Sequence, residues 1–73
     1  MPLPRHTGTV CYLSPDTGYG ELSVEGRQPV AVERAALRRI GAEKLGVIVD
    51  FEDGVLRDGH SGAVSLSRPG MAP

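Results

Sequence analysis

Apolar and polar residues alternate along this chain in short blocks, and the blocks are separated by turn-forming residues. The clearest block is Val47-Ile48-Val49-Asp50-Phe51-Glu52, where Val47, Val49 and Phe51 share one face while Asp50 and Glu52 take the other. Tyr19–Val24 repeats the device: Leu22 and Val24 point one way, and Tyr19, Glu21 and Ser23 the other. In Pro29–Glu33, Val30 and Val32 face inward with Ala31 and Glu33 outward. Thr7–Leu13 is rich in β-branched and aromatic residues and suits a first strand, and Ser61–Ser67 suits a last one with Val64 and Leu66 inward. Turn signals fall between these runs at Ser14–Gly18, Glu25–Arg27, Glu52–Gly54 and Asp58–Gly59.

One stretch has another period. Glu33–Ile40 is built from good helix formers, with Leu37 and Ile40 able to share a face. It is too short to stand alone, and Gly41 argues against continuation to Lys44. One or two helical turns between the third and fourth strands are expected. The order strand, strand, strand, helical turn, strand, strand describes a small five-stranded β barrel.

Length and composition narrow this further. Seventy-three residues make one domain with a small core, and ten glycines favour a turn-rich β structure over a helical bundle. Residues 1–6 read as a loose lead-in, 7–67 as the folded domain and 68–73 as a frayed tail. The formal net charge of −1 supplies no global field for phosphate, so nucleic-acid binding would depend on local features and stacking. No apolar run is long enough to span a bilayer, and Met1–His6 has no signal-peptide pattern. A cytoplasmic monomer without membrane contact is therefore expected. Cys11 is the one cysteine and reads as a small side chain on a strand. His6, His60 and Cys11 lack zinc-site spacing, no carboxylate is paired with a nucleophile, and no helix follows the glycines of Ser14–Gly20. Neither metal, cofactor nor enzymatic activity is expected.

Gly8-Thr9-Val10 followed by Ser14-Pro15-Asp16-Thr17-Gly18-Tyr19-Gly20 resembles the bacterial cold-shock proteins. In that family the first strand ends in Lys-Trp-Phe-Asn, Lys-Gly-Phe-Gly-Phe opens the second, and Val-Phe-Val-His-Phe forms the third. Cys11–Ser14, Thr17–Glu21 and Val30–Arg34 occupy the corresponding positions, and Ala36-Leu37, Val47–Glu52 with Gly54, and Ala63–Leu66 extend the likeness from Thr7 to Ser67. The resemblance implies an all-β, five-stranded antiparallel OB-like barrel that binds single-stranded RNA or DNA on outward aromatic rings.

Carried over residue by residue, it implies a stacking face of Tyr12 and Tyr19, with Gly18 and Gly20 keeping the surface open. Strict alternation puts Tyr12 on the side of Val10, so an outward ring requires a bulge or bend. The rest of the platform departs from the family. Glu21, Ala31 and Arg34 stand where rings are expected, Cys11 and Thr17 where lysines are, and Glu33 where histidine is. Three lost stacks at about 1–3 kcal/mol each cost at least roughly 3 kcal/mol, about a hundredfold in affinity. Arg34 would offer a guanidinium plane in partial compensation, and Arg27, Arg57 and His60 fall in loops expected to line the same rim. Weak or altered single-strand binding is the expected function. The competing reading is a repurposed barrel that meets a protein partner through Glu21 and Glu33, with Arg38 and Arg39 forming a basic cluster on the helical turn.

Overall fold

The computed structural model describes residues 4–70, so Met1–Leu3 and Met71–Pro73, parts of the expected lead-in and tail, lie outside the described residues. Its elements are β1 (His6–Leu13), β2 (Tyr19–Ser23), β3 (Val30–Glu33), α1 (Arg34–Arg39), β4 (Ile48–Val55) and β5 (Ser61–Ser67). The strands form one sheet that closes on itself in the order β1-β2-β3-β5-β4. Four neighbouring pairs are antiparallel, but β3 and β5 run parallel, with Val32 opposite Ala63. The wholly antiparallel ring expected from sequence is corrected here, and parity is the reason. Strands that alternate in direction cannot close a ring of five without one like-directed pair.

Alternation places the core. Val10, Leu22, Val30, Val32, Val49 and Phe51 are buried together with Leu37 of α1, Ala42 and Ala63. α1 closes one end of the barrel: Leu37 is fully buried, and Ile40 packs against the core. Gly41 ends the helix at φ +70, where its N–H reaches the Arg38 carbonyl and the Ala42 N–H reaches that of Leu37. Arg68 donates to the Gly41 carbonyl at 3.2 Å. Arg5 bonds Glu52, the Ser65 carbonyl and Ser67 Oγ, and His6 opens β1, so the end of the expected lead-in is held to the sheet.

Two local readings change. Glu52-Asp53-Gly54 is not a turn but lies inside β4, and the chain reverses after it, at Arg57–His60. Gly54 sits opposite Gly62, and a Cβ on it would meet a Val64 methyl at 2.5 Å, so this glycine serves close strand packing. In β5 the inward residues are Ala63 and Leu66, while Val64 stays outside the core cluster. Ser65 takes φ +54 and adds one residue between the Glu52–Val64 and Asp50–Ser67 pairs, which resets the alternation. In β1 the register slips between Val10 and Tyr12, leaving Cys11 as the extra residue opposite β2.

Candidate functional site

The slip in β1 decides where Tyr12 points. Val10 pairs with Leu22 and is buried; Tyr12, two residues on, pairs with Glu21 and is 48% exposed. Without the bulge both would face the core. Cys11 is exposed, and its thiol donates to the Glu21 carbonyl at 3.4 Å. Glu21 in turn pairs with Ala31 across β3, and Tyr19 with Glu33. Tyr12, Glu21 and Ala31 therefore form a row across three strands, with Tyr19 one step diagonal to it. These residues line a cleft of about 280 Å³ together with Ser14, Thr17 and Gly20.

The β1–β2 turn sets the wall of this cleft. Ser14 is buried; its hydroxyl accepts from the N–H groups of Asp16 and Thr17, and its own N–H donates to the Tyr19 carbonyl at 2.8 Å. The Thr17 hydroxyl accepts the Tyr19 N–H, and Gly18, at φ +78, turns the chain back into β2. Gly20 is required for contact. A Cβ there would lie 2.5 Å from the Tyr12 carbonyl oxygen and 3.1 Å from Leu13 Cδ2.

Tyr19 is half-buried against the β4–β5 loop. Its phenol is held above the ordinary range, first by partial desolvation and then by the negative Asp58 beside its hydroxyl. Asp58 is itself held by His60, whose Nδ1 lies 2.9 Å from Oδ2 and whose backbone N–H donates to Oδ1 at 2.9 Å. The contact depresses Asp58 and raises His60. Arg57, from the same loop, gives its N–H to Glu33 Oε2 at 3.1 Å and its Nε approaches Oε1 at 3.6 Å.

The structure does not bring every expected residue here. Arg34 does not line the tyrosine cleft: its Nε bonds Glu43 at 2.9 Å and its Nη1 bonds the Ser14 carbonyl at 2.6 Å. Arg38 reaches the same Glu43 through Nε and Nη2, and the two guanidinium groups hold that carboxyl down to about 2. Arg34 and Arg38 instead line a second cleft, of about 380 Å³, that meets the first at Ser14. Arg27 lies in a third, of about 510 Å³, that meets the first at Ala31; it is bonded to Asp53 at 2.8 Å and stands 6.0 Å over the Phe51 ring. Arg39 is exposed on α1 and has no carboxylate partner among the described residues. Glu21 and Glu33 both face outward from the sheet, but Glu33 is bonded to Arg57 while the Glu21 carboxylate has no such bond among the described residues.

A scan against protein-family models finds no match, and a search of curated proteins finds none. The site therefore rests on its own geometry. No group of three or more metal-ligating side chains occurs among the described residues, and no helix among them is long and apolar enough to cross a membrane.

Sequence reasoning missed Glu43, Asp58 and Ser14. Asp58 carried a signal as the first residue of an Asp-Gly turn, whose carboxylate commonly bonds the N–H two residues on. Glu43 had none: its role depends on the fold bringing it back over two arginines of α1.

Proposed function

We propose that this chain is an OB-type barrel of the cold-shock kind that binds single-stranded nucleic acid as a binding module, not an enzyme. Bases stack on Tyr12 and Tyr19 across β1, β2 and β3. The observation that carries this reading is the Cys11 bulge, which turns the Tyr12 ring outward into the cleft that Tyr19 also lines. A ring exposed on a sheet face offers the sequence-tolerant surface that unstacked bases use. The expected role of the glycines in keeping that face open is not seen, since a Cβ at Gly18 would meet nothing and one at Gly20 would meet the β1 backbone and Leu13. Family-like affinity is not expected. Among the described residues Arg57 is the cation that acts on Tyr19, and it is already engaged with Glu33.

The protein-partner alternative drew on Glu21 and Glu33 as a pair. With Glu33 committed to Arg57, one free carboxylate remains, and no second reading is favoured.

Titration of a short single-stranded oligonucleotide at low salt, read by tyrosine fluorescence, tests the proposal; the chain has no tryptophan to mask the signal. Binding should be lost by about 1–3 kcal/mol on Tyr12→Ala. With so few cations at the face, log affinity should fall only about 0.7–1.4 per log unit of salt, one or two phosphates' worth. Absence of any signal at high oligonucleotide concentration, or full affinity in the Tyr12→Ala protein, would refute it.

A further inference from the structure

We propose that Glu21 makes this face select guanine among the bases of a single strand, an inference that rests on the binding reading above. Among the carboxylates around the site, Glu33 is bonded to Arg57, Glu43 to Arg34 and Arg38, and Asp58 to His60. Asp16 and Glu21 are both exposed without a hydrogen-bond or ion-pair partner for their carboxylates among the described residues, but Asp16 lines the neighbouring Arg34–Arg38 cleft, and Glu21 is the carboxylate in the tyrosine cleft. Of Glu21 only the backbone carbonyl is used, by the Cys11 thiol. Register fixes its place. It stands directly between Tyr12 on β1 and Ala31 on β3, inside the cleft that both tyrosines line. Ala31 contributes only a methyl group, so the space on that side of the carboxylate stays open to a base edge.

An ionised carboxylate accepts hydrogen bonds and donates none. A base resting on either ring presents its Watson–Crick edge to the neighbouring side chains. Guanine offers two donors side by side there, N1–H and the N2 amino group, which match the two oxygens of a carboxylate. Adenine and cytosine offer one amino donor beside a ring-nitrogen acceptor. Thymine and uracil offer a single N–H between two carbonyl oxygens, and both of those repel the carboxylate. The order is therefore guanine first, adenine and cytosine next, thymine and uracil last. A good bidentate contact discriminates against the wrong base by about tenfold or more.

The test uses the intact chain and fluorescein-labelled heptamers of thymidine in which the central residue is deoxyguanosine, deoxyinosine or thymidine. A single guanine avoids self-association, and inosine keeps N1–H while removing the amino group. By fluorescence anisotropy at low salt, the guanine heptamer should bind about tenfold or more tighter than all-thymidine, with inosine between them. In Glu21→Gln, whose carboxamide both donates and accepts, the guanine-to-thymidine ratio should fall toward one while the melting temperature stays unchanged. Equal affinities for the three heptamers, or a ratio that survives Glu21→Gln, would overturn the assignment of Glu21 and leave the binding reading intact. Failure of all three to bind would overturn both.

Discussion

Gly20→Ala probes the link between strand geometry and the exposed ring of Tyr12. The added Cβ would sit 2.5 Å from the Tyr12 carbonyl oxygen and 3.1 Å from Leu13 Cδ2. Leu13 can rotate away from the second contact. The first is with backbone and can be relieved only if the β1 bulge moves. Overpacking of this kind costs about 1–3 kcal/mol. Against it stands the reduced freedom of the unfolded chain, which favours alanine by about 0.4–1 kcal/mol. The steric term wins, leaving a net loss of about 1–2 kcal/mol. For a domain this size that lowers the melting temperature by about 5–15 °C. Circular dichroism melts measure the loss, and proton NMR should show the Tyr12 ring signals displaced as the bulge shifts. Gly18→Ala is the control: it has φ +78 but nothing within 4 Å of the new Cβ, so it should cost about 1 kcal/mol of backbone strain and leave the Tyr12 signals in place. A melting temperature for Gly20→Ala equal to or above that of the parent would refute the reasoning.

Other outcomes follow from the same contacts. Phe51 is fully buried at the centre of a small core, so Phe51→Ala should cost about 3–5 kcal/mol, and chemical denaturation should find little folded protein; a normal midpoint would contradict the packing. The Glu43 carboxyl should titrate near 2 by NMR. Because its folded value is depressed, the stability it contributes is fully present above its ordinary 4.5 and is lost as pH falls through about 2; a midpoint near 4.5 would mean Arg34 and Arg38 do not hold it. The Asp58–His60 contact works in a window. His60 is raised, so its contribution is full below about 6.5 and is lost as pH rises through the higher folded value. Asp58 is depressed, so its contribution is full above about 3.8 and is lost as pH falls through the lower one. Amide protection factors in the 57–60 loop, with the intrinsic pH dependence of exchange divided out, should accordingly be highest between about pH 4 and 6.5, by a modest factor because the pair is exposed; protection factors that do not vary with pH would count against the contact.

The parts of this fold legible in the sequence are those governed by a period of two. Leu22 against Glu21, Val32 against Ala31, and Phe51 against Asp50 sort to opposite faces because each lies in a regular stretch. Leu37 and Gly41 likewise mark the buried face and the end of a single short helix. Legibility stops where one residue is added to a strand. Ser65 moves the inward position of β5 from Val64 to Ala63, and Cys11 turns Tyr12 from the core side to solvent. Neither residue type announces a bulge, since the slip is decided by the partner strand. Gly54 misled for a related reason: a glycine needed for close approach to Val64 has the same letter as one needed for a turn. The commitments of Arg34, Arg38 and Arg57 were unreadable because Glu43 and Glu33 meet them only in three dimensions.

The central claim is that Tyr12 and Tyr19 together present one surface to a single strand. The most direct measurement is a map of amide and aromatic NMR shifts on adding a short thymidine oligonucleotide carrying one guanine. The largest changes should fall on Tyr12, Thr17, Tyr19, Glu21 and Ala31, with the Arg27–Asp53 contact and the Arg39 side of α1 unmoved. Shifts concentrated on that side of α1, or no shifts at saturating oligonucleotide, would contradict it.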